Sequence, residues 1–230
     1  MALADYQQLV DDMVPDQAAN ITPEVRDRAI GNALLRYSAD LERVVVVDVT
    51  WTDTGYDGPM PADWTDGAYV RQAEHPVGQQ PPALIELAVY QGPGGQRLAA
   101  VEPMEAGDVV RVTYGAPHLL QETPTAADTI PLKHRLAVAQ LAASLLCAQL
   151  ATRYSGQRET AIGADVTQAE TRAREYSSRA KEYRTAYYVG TDQADPFAKG
   201  TTPAGSGATA AAAVVSWPGR SRGTLTRGLQ

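Results

Sequence analysis

The chain is predicted to be an α+β protein: a helical bundle with an inserted small antiparallel β domain and an extended C-terminal arm. Three observations predict this class. Apolar residues recur at three- and four-residue spacing near the start of the chain and again from residue 130 to 189, whereas β-branched runs separated by Gly- and Pro-rich turns fill the middle. Residues 196–230 contain no Asp or Glu at all. The boundaries are 1–42 for the N-terminal helices, 43–116 for the β-rich insert, 117–190 for a connector and two long helices that complete the helical body, and 191–230 for the arm.

The first helix carries Leu3, Tyr6, Leu9, Val10 and Met13 on one face, and Pro15 ends it. A second helix opens with Thr22 as cap and Pro23 in the first position, followed by Glu24 and Asp27 where the helix dipole favours acids. Its apolar face is Val25, Ala29, Ala33 or Leu34, and Tyr37. Strands are expected at Val44–Trp51, Ala68–Ala73, Leu84–Tyr90, Arg97–Val101 and Asp108–Tyr114, with turns at Gln91–Gly95 and Glu105–Gly107 where glycine reaches positive φ freely. In the last of these strands neither alternating set reads as purely apolar, and the insert is expected to form a small antiparallel sheet or barrel.

Residues 117–129 read as a connector. A helix from Ile130 to Tyr154 follows, capped by Asp128 or Thr129, with Pro131 in its first turn and Gly156 beyond its end. It is apolar nearly all round from Leu136 to Ala151, which places it at the centre of a bundle. Gln140, Ser144 and Gln149 interrupt that run and keep it short of a membrane span. The last helix, Val166–Val189, has Asp165 and Gln168 at capping-box spacing and Gly190 as its stop. Val166, Ala169, Ala173, Tyr176, Ala180, Tyr183 and Tyr187 form an apolar seam of small and aromatic residues, suited to close packing on the neighbouring helix or, alternatively, to an intermolecular coiled coil.

With 44% hydrophobic and 20% charged residues, the composition is that of a globular protein. The formal net charge of −7 argues against general nucleic-acid binding, which needs a basic face, and leaves open a surface that DNA must slide past without adhering. One cysteine, Cys147, excludes an internal disulfide and a cysteine-based zinc site, and its apolar helical setting marks it as a small buried hydrophobe. The N-terminal residues lack a basic segment followed by an apolar run, so no signal peptide is expected and folding in a cytoplasm follows.

The chain holds no nucleophile elbow, phosphate loop or dinucleotide fingerprint. His75, His118 and His134 have no partner at metal-ligand spacing. Asp48, Asp53, Asp57, Asp63 and Asp66 surround Trp51 and Trp64 without matching a calcium loop, and read as a solvated loop studded with aromatics. No catalytic residue, metal or cofactor is therefore expected. Trp51, Tyr56 and Trp64 are candidate contacts of the insert with a partner or a neighbouring copy.

Charge is segregated along the chain. Lys199, Arg220, Arg222 and Arg227 give the tail +4, so the rest carries −11, the total of −7 less that +4. Gly, Ala, Thr and Ser dominate the tail, and such a segment buries too little apolar surface to fold alone. Trp217 has no internal core to join there, so a partner surface is its most economical place of burial. Val214 and Val215 can add an edge strand to that partner, with Arg220, Arg222 and Arg227 beyond them to meet carboxylates; Leu225 and Leu229 complete the candidate binding residues.

The order of helices, β-insert and closing helical pair resembles the head-to-tail connector adaptors of tailed bacteriophages. The residues that carry the resemblance are Ala29-Ile30-Gly31-Asn32-Ala33-Leu34-Leu35-Arg36-Tyr37, the insert segment His75-Pro76-Val77-Gly78-Gln79-Gln80-Pro81-Pro82, Arg111 to His118, and Ser178-Arg179-Ala180-Lys181-Glu182-Tyr183. The resemblance implies a virion neck protein assembled in the host cytoplasm. It further implies a ring of identical copies, expected to be a dodecamer, beneath a portal protein that receives the C-terminal arm. A stopper or tail-completion protein would lie below, and DNA would pass through the lumen without sequence-specific binding; no membrane and no enzymatic activity are implied. Alternatives are another ring of the neck, a stopper or tail terminator, and, from other classes, a glycan-binding module or a hydrolase using Asp53 to Asp66 with His75.

Overall fold

A computed structural model describes residues 3–15, 20–120, 128–156 and 164–197. The architecture is mixed α+β, with two separate hydrophobic cores.

The helical core is built from α1 (Leu3–Met13), α2 (Pro23–Asp40), α3 (Arg135–Gly156) and α4 (Ala164–Gly190). Thr22 caps α2, its hydroxyl accepting from the Val25 amide at 3.4 Å. The buried face of α2 is Ala29, Ile30, Ala33 and Tyr37, so Ile30 replaces the expected Val25, which is only half-buried. α3 starts later than the sequence implied, because a 3-10 turn at Leu132–His134 follows Pro131 before the α-helix is established. Asp128 remains the cap of the segment, accepting from the Ile130 amide at 3.0 Å. α3 is long and apolar enough to cross a membrane, but most of its apolar stretch faces protein: Val138, Ala142, Ala143, Leu146 and Cys147 are all fully buried between α1, α2 and α4, while Leu136 is exposed.

The seam of α4 packs within the chain. Ala173, Tyr176, Ala180 and Tyr183 lie against the helical core, and the Ser144 hydroxyl of α3 donates to the Ala180 carbonyl of α4 at 2.7 Å. That bond demands close helix approach, which the small residues permit. On the other face, Glu170–Arg174 and Glu175–Arg179 pair at 2.6 and 2.7 Å. Such exposed i, i+4 pairs are worth only about 0.3–0.5 kcal/mol each. The helix is held by packing. The side chains of Asp165, Val166, Gln168 and Ala169, which the sequence singles out, lie outside the described residues.

Tyrosine hydroxyls fasten the bundle's connections. Tyr183 donates to the Met13 carbonyl at 2.8 Å and Tyr187 to the Asp40 carboxylate at 2.8 Å, so α4 grips the ends of both N-terminal helices. Each ring contributes buried area while its hydroxyl satisfies a polar group that would be costly to leave unpaired.

The insert contains seven strands in two antiparallel sheets. The four-stranded sheet has the order β1 (Arg43–Thr50), β7 (Val109–Ala116), β3 (Tyr69–Glu74) and β4 (Leu84–Ile85). The three-stranded sheet has the order β2 (Gly55–Gly58), β6 (Gly95–Met104) and β5 (Leu87–Gly92). Three differences from the sequence reading have local causes. The expected strand Leu84–Tyr90 is broken at Glu86, so that its first part pairs with β3 and the rest with β6. β2 forms in the stretch expected to be a solvated loop, its Gly58 lying beneath the Trp51 ring. In β7, Val110, Val112 and Tyr114 are completely buried, so one alternating set does form a core face, with the tyrosine ring completing it against Trp64.

Candidate functional site

Three regions bear on function: the root of the C-terminal arm, the outer faces of the two sheets, and the buried polar groups of the helical core.

The arm's root is fixed. Beyond α4, Gln193 donates through Nε2 to the Asp40 carbonyl at 3.0 Å, and Thr191 caps the helix end through Tyr187. Arg184 pairs with the buried Asp195 at 3.2 Å, and its guanidinium lies 4.8 Å from the centre of the Phe197 ring. The segment leading to residue 197 is therefore held beside the junction of α2 and β1. The candidate arm residues Val214, Val215, Trp217, Arg220, Arg222, Leu225, Arg227 and Leu229 lie outside the described residues.

Of the aromatic candidates in the insert, the structure separates Trp51 from the other two. Trp51 is only 1% exposed and belongs to the core of the insert, so it has no ring surface to offer a partner. Sequence gave it the same flanking acids as an exposed aromatic; its burial follows from β2 folding over it. Tyr56 is 57% exposed, and Trp64 is half-buried with its ring 5.0 Å from that of Tyr114.

Sequence reasoning missed the larger apolar surface. Along β1, Val44 and Val46 are 50% and 59% exposed, and Tyr69 of β3 stands on the same sheet two strands away, since Val44 and Tyr69 both pair with Gly115. Their neighbours are salt-linked: Arg111 binds Asp48 through two nitrogens at 2.8 and 3.0 Å, and Glu42 receives Arg71 at 3.1 Å and the Tyr69 hydroxyl. The Arg111 hydrogen bond holds the Asp48 carboxyl below the usual carboxylate range. On the smaller sheet, Tyr90 and Val101 are exposed, with Arg97 near Asp57 at 3.9 Å. Four consecutive valines in β1 were the available signal, because only one alternate pair can face the core.

The acids near Trp51 do not converge. Asp48 is committed to Arg111, Asp57 lies near Arg97, and Asp53 accepts from its neighbour Thr52 at 3.3 Å. Among the described residues no group of three or more His, Cys, Asp or Glu side chains is placed to hold a metal ion. His75 Nδ1 faces the Val109 carbonyl at 3.1 Å, with Nε2 3.8 Å from Asp108. These two line a cleft of about 530 Å³ between the sheets with Glu86, Glu102 and Met104.

The remaining histidines are structural. His134 Nδ1 meets the Tyr37 hydroxyl at 2.7 Å, and His118 Nδ1 meets the Thr129 carbonyl at 3.0 Å; both rings pack on Tyr37. Burial pushes both imidazoles below their ordinary pKa, so each is held neutral at pH 7. Beside them Asp128 pairs with Arg135 at 3.0 Å, and burial together with that carboxylate raises the Tyr6 phenol. Burial likewise pushes the Cys147 thiol up to about 11, which leaves almost no thiolate at neutral pH.

No family model matches the chain, and no curated protein matches it. Among solved structures, a chain in the neck of an empty GTA particle, computed with C6 symmetry, is similar over 60% of this chain and 74% of its own length, at 14% identity and a TM-score of 0.27. A score of that size does not establish a shared fold.

Proposed function

We propose that this protein is a structural adaptor of a virion neck, a ring-forming subunit that joins head to tail and presents its C-terminal arm to a portal protein. The observation that carries this reading is the arm's construction. An acid-free segment of charge +4 is attached to a body of −11, and its root is pinned by Gln193 to Asp40 and by Arg184 to Asp195 and Phe197. A basic segment with a single Trp and two adjacent valines suits a receptor with a groove or a strand edge and acidic surroundings. In a ring, many weak arm contacts act together, so the total attachment far exceeds that of one arm.

The rest of the reading follows from surface chemistry. An acidic body lining a channel repels DNA and lets it pass without sequence-specific binding. Exposed Tyr56, Tyr90 and Val101 give the insert a surface for a neighbouring copy or for a stopper or tail-completion protein. The dispersed acids and the structural histidines support a protein without enzymatic activity.

The test is the solution mass of the full chain alone and mixed with the cognate portal ring. A protein that joins the portal as a ring, with attachment at least tenfold weaker in Trp217→Ala and unchanged in Tyr56→Ala, supports the adaptor. Failure to associate with portal, or equal loss in both variants, overturns the assignment of portal binding to the arm.

A further inference from the structure

We propose that Ser38–Glu42 is a coupling segment, through which the root of the C-terminal arm controls how firmly the insert is held on the helical body. The two cores are separate, so polar contacts around the chain crossings between them decide how the insert is held. One crossing runs from Asp40, the last residue of α2, to Arg43, the first of β1; the other leaves β7 at Ala116 for His118. Arg43 and Ala116 are partners in the sheet, so the crossings lie side by side.

Asp40 is where the root of the arm takes hold. Its carbonyl accepts from Gln193 Nε2 at 3.0 Å, and its carboxylate accepts from the Tyr187 hydroxyl at 2.8 Å and the Arg36 guanidinium at 3.0 Å. Thr191 and Gln193 are tied to the end of α4, their amides donating to the Tyr187 and Tyr188 carbonyls at 3.0 and 2.8 Å. The arm's root and the ends of α4 and α2 thus meet at one residue.

Glu42, two residues on, is where the insert takes hold. Its carboxylate accepts from the Tyr69 hydroxyl and pairs with Arg71 at 3.1 Å, both on β3. It lies over Gly115 of β7, where an added methyl group would overlap the Glu42 carboxylate and the Tyr69 ring. From the second crossing, the His118 amide donates to the Ser38 hydroxyl at 2.9 Å, and Ser38 donates to the Leu34 carbonyl at 2.8 Å. Ser38, Asp40 and Glu42 therefore join α2 to the connector, the arm's root and the insert.

Leu41 alone separates Asp40 from Glu42. It is extended, its amide closes the last turn of α2 on the Tyr37 carbonyl at 2.8 Å, and consecutive α-carbons stand about 3.8 Å apart, which leaves little slack between the two anchors. Helix ends fray, so this last turn has a closed and an open state. The bonds to Asp40 favour the closed turn and set Glu42 over Gly115; lifting Gln193 from Asp40 favours the open turn and loosens Glu42 from β3. Two contacts that favour the same state of a shared element strengthen each other, so the effect runs in both directions. Its functional meaning rests on the reading of the arm given above: a partner that takes up the arm changes the hold on the insert.

Residue-resolved amide exchange on the full chain, with portal absent, compares the wild type with Gln193→Ala and Tyr69→Phe. Gln193→Ala is expected to make exchange about fivefold faster at Tyr69, Gly115 and His118, and Tyr69→Phe to do the same at Thr191 and Gln193. Ala142 in α3 and Val112 in β7, deep in the two cores, should keep their wild-type rates. Effects confined to each variant's own side, or matched at Ala142 and Val112, overturn the coupling. Portal takes no part in this measurement, so the coupling and the docking of the arm stand or fall separately.

Discussion

Gly58 lies so close against the six-membered ring of Trp51 that a methyl group added to its α-carbon would overlap the indole. The strand β2 can cover the tryptophan only because that position has no side chain. Burying such a ring removes roughly 150–250 Å² from water, a gross gain of about 4–6 kcal/mol.

Gly58→Ala is therefore expected to destabilise the protein by about 1–3 kcal/mol through overpacking. Gly31→Ala, where an added carbon in α2 meets nothing within 4 Å, should stabilise by about 0.5–1 kcal/mol. Urea midpoints of the two variants check the pair, and equal midpoints would contradict the role given to Gly58.

Asp128 is almost fully buried, pairs with Arg135 and accepts from the Ile130 amide. Asp128→Ala removes that carboxylate from the partly exposed Arg135 guanidinium and from the Ile130 amide, a loss on the order of 1–3 kcal/mol. Asp128→Asn keeps the acceptor for Ile130 and should lose less. Thermal denaturation followed by helical circular dichroism distinguishes the two.

His118 and His134 have folded pKa values depressed by burial. Above pH of about 6.5 both are neutral in the folded and unfolded chain, and neither affects stability. As the pH falls below that value the unfolded chain takes up protons first, so stability drops. Urea midpoints should be lower at pH 5.5 than at pH 7.5, with a smaller difference in His118→Gln; a higher midpoint at pH 5.5 would reverse the assignment.

Much of the helical body was legible in the sequence, because its signals are local. Thr22-Pro23, the three-and-four spacing of α1 and α2, and the near-continuous apolar surface of α3 state that helices lie there, although Ile30 takes the place of Val25 on the buried face of α2 and α3 begins only at Arg135. The insert was read only in outline. Glu86 breaks one expected strand into pieces belonging to different sheets, and Tyr56 and Trp51, five residues apart with the same acidic surroundings, end on opposite sides of the surface. The candidate arm carried the clearest functional signal in its charge, and its eight residues fall outside the described structure.

The sequence by itself determined the α+β class, the order of the helices around a β-rich insert, the burial of Cys147 and the basic character of the arm. These depend on periodicity, capping and composition within a few turns of chain. Tertiary structure alone decided that Trp51 is core, that the α4 seam serves α3, that the arm's root lies beside Asp40 and that β1 pairs with β7. Each of those depends on which distant segment arrives next to which, and backbone hydrogen bonding between strands is blind to the side chains that a sequence displays.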